Sequence, residues 1–266
     1  MRQSTFGSLV KKAVLVFAFL AFGAAPVCAQ TVDDILKKGK LTVGMLVDLP
    51  PFGLMTEGKP DGYDADVARL MAKYLGVDLE IVPVTGPNRI PYLLTGKVDM
   101  LTATFGITPE RAKQVQFSIP YSAIEIQLLG PKGTKITSFD DLANMKISVA
   151  RASSQDTALT AQAPKSATIL RFDDDASAGQ AYLSGQVDLI GSNNITALQL
   201  ASANPPKGIE KKLALRSQYQ GITLRRGSDD LRQWVNTFLF FIKNNGELDA
   251  INRKWFHEPL TQLPVF

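Results

Sequence analysis

Two short stretches of the chain are near copies of each other, "YLLTGKVDML" at 92–101 and "AYLSGQVDLI" at 181–190. In each copy an apolar, helix-like segment runs into a glycine, Gly96 or Gly185, and continues through Val-Asp into an apolar strand. Glycine just past a helix adopts a positive φ without a Cβ clash, so each copy predicts a helix, a turn and a strand. The copies lie too far apart for a solenoid repeat. We therefore predict two equivalent lobes.

Strand-like and helix-like segments alternate in two series. The first series runs strand, helix, strand, helix, strand in the segments "KLTVGMLV", "DADVARLMAKYLG", "VDLEIVPV", "RIPYLLTG" and "VDMLTAT". The second series begins with a helix and then alternates, in the segments "SFDDLAN", "KISVA", "SQDTALTAQA", "ATILRF", "DASAGQAYLSG" and "VDLIGS". Alternation of this kind is typical of a mostly parallel sheet with helices on both faces. The predicted fold class is α/β with two Rossmann-like lobes.

The two series are joined without a Pro/Gly-rich linker. The segment "SIPYSAIEIQLLGPKG" reads as one continuous strand that leads from the first series into the second. After the second series, "GITLRRG" adds another strand, and the chain ends with two amphipathic helices that we assign to the first lobe. The chain then crosses between lobes near 122–127 and 217–222, which makes a two-strand hinge. We predict lobe 1 at 30–123 and 220–266, and lobe 2 at 124–219.

The first 29 residues have the composition of a secretory signal peptide. Three basic residues at 2, 11 and 12 precede the apolar segment "AVLVFAFLAFGAA", which is too short to span a bilayer. Val27 and Ala29 form a small-x-small cleavage signal, so cleavage is predicted before Gln30. Lipid anchoring at Cys28 is the alternative, but "APVC" lacks the usual apolar-small-small sequence before the cysteine. We therefore predict a free periplasmic protein.

Removal of this segment changes what the composition implies. The whole chain has 29 basic and 25 acidic residues, and cleavage leaves 26 and 25, a nearly neutral protein without a basic run. Nothing in this charge pattern indicates binding to nucleic acid or to an anionic membrane. Cys28 is the single cysteine, so the exported chain has no disulfides, catalytic thiol or thiolate metal site. With 45% apolar residues, the chain can build its own core.

An ordered set of motifs along the exported chain resembles a known family. The set is "PPFG", "GYDADVARLMAKYLGV", "RIPYLLTGKVDML", "GITPERAKQVQFSIPY", "GQVDLI" and "NGELDAINRKWF". The chain resembles the family 3 periplasmic solute-binding proteins of ABC importers, and the resemblance covers essentially the whole exported chain. It implies a type II periplasmic binding protein whose lobes close on a small polar solute, usually an amino acid. It also implies a monomer without cofactor or metal that delivers its ligand to an inner-membrane permease.

Both repeated units end in small polar residues. These residues lie at the carboxyl ends of predicted strands, which is where open parallel sheets bind ligands. The strand of the first copy leads into "TATFG" at 102–106, and that of the second leads into "GSNN" at 191–194. Ligands lie outside the carboxyl ends of such strands, so two facing ends predict one cleft. We expect Thr104 and Gly106 on one side and Asn193 on the other. For Asp99 and Asp188 of the Val-Asp pairs we predict a role in holding turns, not in binding ligand.

The motif "ITPER" supplies the strongest candidate for ligand binding. Thr108 suits a helix N-cap and Pro109 the first helical position, so a helix is predicted to begin at the cleft. Arg111 in its first turn opposes the helix dipole, a small cost that a binding role would explain. Its guanidinium fork matches both oxygens of a carboxylate. The resemblance implies that Arg111 clamps the ligand's α-carboxylate, and the alternative is a solvated surface arginine.

Two further arginines predict an anionic ligand. Arg89 lies in "NRIP", a form that resembles relatives binding acidic amino acids, although it could instead cap a neighbouring strand. Arg151 lies at the end of a second-lobe strand, in "VARASS", where relatives have a neutral residue followed by Gly-Thr-Thr. Ser153 and Ser154 retain hydroxyl donors there. Convergence of three arginines on the cleft would favour a ligand with more negative than positive charge.

The residue expected to bind an ammonium group is absent. Relatives that bind α-amino acids commonly have an aspartate at the end of the second-lobe strand, where this chain has Asn193. A neutral amide cannot offset the desolvation of an ammonium as a carboxylate can. Asp48, just before "LPPFG", could replace it from the first lobe. Otherwise the ligand would carry no free α-ammonium.

An enzyme is the rival class, since proteins resembling this family include dehydratases of the cyclohexadienyl type. The exported chain has one histidine, His257, and lacks a cysteine, a Gly-x-Ser-x-Gly motif and a P-loop. The parts of hydrolase triads, His/Cys metal sites and phosphate-binding loops are therefore missing. Asp48 and Glu125 remain as acid/base candidates. We predict a binding protein, not an enzyme; a structural or adhesive protein is disfavoured by the arginines.

Overall fold

The structure is a computed structural model, and it describes residues 29–264. The predicted signal peptide, Cys28 included, lies outside the described residues except for Ala29. Within 29–264, no helix is both long enough and apolar enough to cross a membrane.

The helices and strands alternate along most of the chain. The strands are β1 Lys40–Leu46, β2 Leu54–Thr56, β3 Lys59–Asp61, β4 Asp78–Val84, β5 Met100–Leu101, β6 Val115–Pro131, β7 Lys146–Ala150, β8 Thr168–Phe172, β9 Leu189–Asn193 and β10 Ile209–Arg225. The helices are α1 Val32–Lys38, α2 Tyr63–Leu75, α3 Arg89–Leu94, α4 Pro109–Ala112, α5 Ser154–Gln162, α6 Asp175–Leu183, α7 Asn194–Ala203, α8 Asp229–Asn244 and α9 Glu247–Phe256. The predicted α/β class is confirmed.

Three local predictions differ from the structure. The helix expected in "SFDDLAN" is only a short 3-10 helix, Asp140–Leu142, because the carboxylate of Asp141 accepts from the Thr137 and Ser138 amides and closes a turn there. Helix α7 was not predicted, since its apolar residues form no buried stripe: Leu198 is 69% exposed. Strand β10 begins at Ile209, well before the predicted "GITLRRG".

One sheet runs through both lobes in the order β4-β1-β5-β10-β6-β9-β7-β8. Strand β1 is parallel to β4 and β5, and β7 is parallel to β8 and β9. Between these two parallel groups, the long strands β6 and β10 pair antiparallel along nearly their whole length. These are the two strands on which the chain crosses between the lobes, as the predicted two-strand hinge requires.

The apolar core is divided in the same way. The largest cluster includes residues of β1, α2 and the C-terminal helices, such as Met71, Leu239 and Leu248. Two smaller clusters are built from residues between 128 and 197. On β6 the change from one core to another falls between Ile126 and Leu128. The lobe boundaries at 123/124 and 219/220 stay a prediction, which this division of the core favours.

The repeated Val-Asp turns have the same role in both lobes. The Asp99 carboxylate accepts from the amide of Thr42 at 2.7 Å, and the Asp188 carboxylate accepts from the amide of Lys146 at 2.8 Å. The two aspartate amides donate back to the carbonyls of the same partners at 2.8 and 2.9 Å. Each turn is thereby fixed to the start of β1 or β7. The prediction that these carboxylates hold turns is confirmed.

Candidate functional site

A small cavity, partly open to solvent, lies between the lobes. Eight of the nine predicted site residues border it: Asp48, Arg89, Thr104, Arg111, Arg151, Ser153, Ser154 and Asn193. Their contact with a ligand stays a prediction. Sequence reasoning missed other residues that line the same cavity, among them Gln155, Asp174, Asp175 and Gln218.

Gly106, the ninth predicted residue, lies behind the cavity wall. Its carbonyl oxygen accepts from Arg111 Nη1 at 2.9 Å. A Cβ built on Gly106 would clash with the carboxamide of Gln218, which comes from the crossing strand β10. Gly106 therefore leaves room for Gln218 and orients Arg111, and it lies outside the residues that line the cavity.

Arg111 reaches from the first lobe to the second. The Thr108 side chain caps the short helix α4 by accepting from the Arg111 amide at 3.2 Å, and Pro109 occupies the first helical position. This local structure confirms the prediction for "ITPER". Across the cavity, Arg111 Nη1 donates to Ser154 Oγ at 3.2 Å and Nη2 to the Ala152 carbonyl at 3.0 Å. The lobes are thus in direct contact through this guanidinium.

Arg89 is the second guanidinium in the cavity and is only 4% exposed. It donates to the carbonyls of Ala103 at 3.2 Å and Ala152 at 3.3 Å. Its guanidinium carbon lies 4.4 Å from the ring centroid of Phe105, and that of Arg111 lies 4.1 Å from the same centroid. The aromatic ring stabilises both cations by cation–π attraction, and Phe105 was not recognised from sequence.

Neither guanidinium forms a salt bridge with a carboxylate within residues 29–264. Burial lowers the pKa of Arg89 to about 10. Burial also lowers the pKa of Arg111 well below its ordinary value, and the neighbouring charges of Arg89 and Arg216 add to this effect. The charges of Asp175 and Asp48 oppose the fall for Arg89 without forming an ion pair with it, and Arg111 is partly buried. A desolvated cation without an ion-pair partner is unfavourable. The pair therefore favours an anionic group between the lobes.

Ala152 occupies the backbone position that receives both arginines. Its φ is 59°, in the left-handed region that glycine adopts at less cost. The resemblance implied a glycine here, and the alanine takes the glycine-like conformation. The next residue, Ser153, caps helix α5 by accepting from the Asp156 amide at 3.1 Å. The strained turn therefore aims the Ala152 carbonyl at the cavity and starts α5 beside it.

Arg151 is the third arginine of the predicted site. Its side chain is half exposed, its Nε lies 3.6 Å from Asp173 Oδ1, and its Nη2 donates to the Arg171 carbonyl at 3.3 Å. The adjacent carboxylate draws the guanidinium along the surface of the second lobe. The convergence of three guanidiniums on one ligand therefore stays a prediction, with the Arg151 guanidinium lying beside Asp173 in this structure. Arg151 borders the cavity, and its role as a ligand residue stays a prediction.

Asn193 is buried at the end of β9, and its side chain caps helix α7. Its Oδ1 accepts from the amides of Ile195 at 3.0 Å and Thr196 at 2.9 Å, while its Nδ2 donates to Thr196 Oγ1 at 2.9 Å. An asparagine satisfies these local partners through both atoms of its amide. The group that would face an ammonium in relatives is therefore engaged in capping.

Thr104 is held from behind by a buried carboxylate. Its φ of 48° is left-handed, and its Oγ1 donates to Asp64 Oδ2 at 2.9 Å. The Tyr121 hydroxyl donates to the other oxygen of Asp64 at 2.7 Å, and Asp64 is fully buried. Burial raises the pKa of Asp64 to about 6, although these two hydrogen bonds act to lower it. Thr104 therefore shapes the cavity while its hydroxyl is bonded to Asp64.

A pair of aspartates meets on the other side of the cavity. Asp48 Oδ2 accepts from the amide of Asp175 at 2.8 Å, a contact between the lobes at the start of α6. Asp175 Oδ1 accepts from Gln155 Nε2 at 3.1 Å. Burial raises the pKa of Asp175 to about 7; the charges of Asp48 and Asp174 raise it further, whereas Arg89 opposes the rise. Burial also raises the pKa of Asp48.

The sequence contains a signal for this second aspartate. Three aspartates follow the strand segment "ATILRF", and carboxyl ends of parallel strands are where ligands bind. The same rule that selected Thr104 and Asn193 therefore points to Asp174 and Asp175. Gln218 had no comparable signal, because its strand was recognised only from residue 221 onwards.

The sequence model of the bacterial extracellular solute-binding proteins, family 3, matches residues 41–258. The chain belongs to this family. It is 29% identical to the L-cystine-binding protein of Escherichia coli K12, over 86% of this chain and 87% of that protein. It is 32% identical to the glutamine-binding protein of an ABC transporter from Bacillus subtilis 168, over 86% and 85% of the two chains.

Solved structures of the family agree with the architecture. The crystal structure of an ancestral amino acid-binding protein, described as a precursor of cyclohexadienyl dehydratase, has a TM-score of 0.76 and 34% identity, covering 85% of this chain and all of that one. The family and the two-lobed fold predicted from sequence are confirmed.

Proposed function

We propose that this chain is the substrate-binding component of an ABC importer and that it captures a small polar amino acid by closing its lobes. The single observation that carries the proposal is the pair of guanidiniums, Arg89 and Arg111, without a carboxylate partner in the interlobe cavity of the described chain. A ligand carboxylate would supply the missing counter-ion and would replace weaker hydrogen bonds to backbone carbonyls.

The proposal extends to where and how the protein works. After removal of the signal peptide it would act outside the inner membrane, as a monomer, and would deliver its ligand to a permease. Its nearly neutral charge and lack of a basic run support a role without nucleic acid. The family relatives that bind cystine and glutamine support an amino-acid ligand.

The net charge of the ligand is a separate question. The expectation of an anionic solute depended on three converging arginines, and Arg151 turns instead towards Asp173. Three aspartates, at 48, 174 and 175, line the cavity together with Arg89 and Arg111. We therefore propose a ligand that bears a carboxylate, and the proposal does not include a net negative charge on that ligand.

A dehydratase is the second candidate function. The similarity to a precursor of cyclohexadienyl dehydratase favours it, as do two cavity carboxylates, Asp48 and Asp175, with raised pKa values. Measurable binding of an amino acid together with no turnover of prephenate by the same preparation would favour the receptor. Turnover of prephenate would establish the enzyme.

The direct test is a thermal-shift screen of the exported protein against amino acids and dicarboxylates. A ligand that binds only the folded state stabilises that state by mass action, by about 2.7 kcal/mol at a hundredfold excess over Kd. The melting temperature rises as a result. We expect at least one amino acid to raise the melting temperature. If no amino acid does so at millimolar concentration, the proposed function is wrong.

A further inference from the structure

One polar side chain of the interlobe cavity comes from the crossing strand β10. Gln218 is 5% exposed and borders the cavity together with Ile124 and Ile126 of the other crossing strand, β6. On the ladder between the two strands, Gln218 lies opposite Ile124. A buried carboxamide is unfavourable unless both its oxygen and its nitrogen find partners. The partners of Gln218 therefore indicate what this part of the cavity binds.

Arg216 determines which way the carboxamide of Gln218 points. Its Nη2 donates to Gln218 Oε1 at 3.1 Å, from two residues earlier on the same strand. A guanidinium can only donate hydrogen bonds, so the carboxamide must turn its oxygen to Arg216 and its nitrogen away from it. The direction of the donor is thus set by a contact within β10.

The nitrogen of this carboxamide is left for a ligand. Within residues 29–264, Gln218 Nε2 donates to no protein acceptor. It is also not enclosed by the protein, in contrast to Gln220 Nε2 two residues further on, which is both enclosed and unbonded. Since Gln218 borders the interlobe cavity, an acceptor on a molecule in that cavity can reach its nitrogen.

The carboxamide lies beside the residue that is predicted to clamp a carboxylate. The backbone before α4 is fixed to β10, because the Ile107 amide donates to the Tyr219 carbonyl at 2.9 Å. A Cβ on Gly106 would overlap Gln218 Nε2, and the Gly106 carbonyl accepts from Arg111 Nη1 at 2.9 Å. Gln218 therefore fills the space that a side chain at position 106 would take, next to the backbone group that holds Arg111.

The charges around this nitrogen favour a negatively charged acceptor. The charge of Arg216 contributes to the lowered pKa of Arg111, so the two guanidiniums are close enough to repel each other. Glu110 is the acidic group whose charge acts on both of them. Hydrogen bonds between such donors and a carboxylate are stronger than those to a neutral carbonyl.

We propose that Gln218 donates through Nε2 to the ligand carboxylate that Arg111 clamps, and that Arg216 is a positioning residue that keeps this donor directed at it. The inference rests on the proposed function, since it adds a donor to the receptor for the same carboxylate. The crossing strand β10 then contributes a binding residue as well as a connection between the lobes.

The test is calorimetry with the amino acid that raises the melting temperature most in the thermal screen. It would be titrated into the exported wild-type protein, Gln218→Glu, Gln218→Met, Arg216→Met and the double variant with methionine at both positions. Gln218→Glu keeps the size of the side chain and strengthens its contact with Arg216, but it replaces the donor by an acceptor. The control for the added charge is Gln233→Glu, the same change at an exposed position of α8.

We expect Gln218→Glu to bind the amino acid roughly tenfold or more weakly than wild type, without a lower melting temperature, and Gln233→Glu to bind it as wild type does. Arg216→Met should weaken binding about threefold, because the carboxamide can then turn its oxygen to the ligand. This loss should be smaller in the Gln218→Met background, where no carboxamide remains to be directed. A role of Arg216 through charge alone predicts the same loss in both backgrounds.

A crystal structure of the wild-type protein with this amino acid tests the contact without any variant. We expect Gln218 Nε2 to lie within hydrogen-bond distance of a carboxylate oxygen of the ligand. A nitrogen that faces away from the ligand, or wild-type affinity of Gln218→Glu, would overturn the role of Gln218 while leaving amino-acid capture intact. Equal losses from Arg216→Met in the two backgrounds would overturn the positioning role. Failure of every amino acid to bind wild type would remove the proposed function itself, and this inference with it.

Discussion

The two lobes use one scaffold to present different chemistry. In each, a carboxylate after a glycine turn fixes a strand by accepting a backbone amide, Asp99 in the first lobe and Asp188 in the second. Beyond the strand ends the lobes diverge. The first lobe brings two buried or partly buried guanidiniums and the carboxylate of Asp48 to the cavity. The second brings hydroxyls, capping groups, the half-exposed Arg151 and the carboxylates of Asp174 and Asp175.

This difference separates residues that build the lobe from residues that define the ligand. The Val-Asp units repeat because a helix, a turn and a parallel strand have the same geometric needs in either lobe. The residues after the strands do not repeat, which is what we expect if they contact different ends of a small ligand. Substitutions in the Val-Asp turns should therefore lower the free energy of unfolding, whereas substitutions after the strand ends should weaken ligand binding.

The largest expected effect is on folding, through the turn of the first lobe. Asp99 is buried and accepts from Gln30 Nε2 at 2.6 Å, Lys38 Nζ at 3.0 Å and the Thr42 amide at 2.7 Å, whereas Asp188 holds one amide near the surface. We expect Asp99→Ala to lower the free energy of unfolding by about 3 kcal/mol and Asp188→Ala by about 1 kcal/mol. Urea denaturation measures both, and equal losses would contradict this ranking.

The next effect separates binding from folding. Arg111→Lys keeps the charge but loses the fork that spans Gly106, Ser154 and Ala152, so we expect ligand binding to weaken by about 1.5–3 kcal/mol with little change in stability. Calorimetry with the tightest amino acid from the thermal screen measures it. The control is Arg226→Lys, a surface change whose guanidinium donates only to the Lys113 carbonyl among the described residues. Unchanged affinity of Arg111→Lys would remove this residue from the site.

A smaller effect depends on pH. The pKa of Asp175 is about 7 in the folded chain and near 4 when unfolded, so the folded state binds more protons between these values. Its contribution to stability is therefore favourable at low pH and is lost as pH rises through 7. Asp48, Asp174 and Arg89 are the charged groups that face it. Relative to wild type, ligand-free Asp175→Asn should be more stable at pH 8 than at pH 5, by about 1 kcal/mol or more.

Urea denaturation of both proteins at the two pH values measures this difference. Comparing the variant with wild type cancels the carboxylates whose pKa values are lowered by hydrogen bonds, such as Asp249. A difference that does not vary with pH would show that Asp175 does not titrate in this range.

The smallest effect concerns the turn that faces both arginines. Ala152 has a φ of 59°, so Ala152→Gly should relieve backbone strain and raise the free energy of unfolding by roughly 0.5–1 kcal/mol after the entropy of the unfolded chain is counted. Chemical denaturation measures it, with Ala250→Gly at an exposed position inside helix α9 as a control that should destabilise instead. Destabilisation by Ala152→Gly would mean that the alanine is not strained.

Sequence reasoning recovered the scaffold well because the scaffold follows local rules. Glycines at helix ends, the Thr108-Pro109 helix start and the alternation of periodicities are readable without tertiary contacts. Helix α7 escaped, because a helix that buries only Ala197 leaves no apolar stripe in the sequence. The early part of β10 escaped for the related reason that its residues from 209 to 217 are mostly half-buried or exposed.

The sequence predicted residues that border one cavity, but not the directions of their side chains. Strand ends and a family resemblance were enough to place eight predicted residues around one cavity. They could not tell that the Arg151 side chain follows Asp173 along the surface, or that Asn193 is used as a cap. Side-chain direction depends on partners that are distant in sequence, and the contact of Asp48 with Asp175 is of this kind.

The sheet order has a consequence for the time at which the protein becomes able to bind. The parallel strands of the second lobe, β7, β8 and β9, come from one continuous stretch of chain, whereas β5 pairs on one side with β10 from near the C-terminus. Because non-local pairings form more slowly than local ones, we expect the second lobe to fold first. This order should hold both on refolding and when the chain appears progressively, N-terminus first. The first lobe gains the end of β10 and its two covering helices last. Ligand capture therefore begins only when nearly the whole chain has emerged.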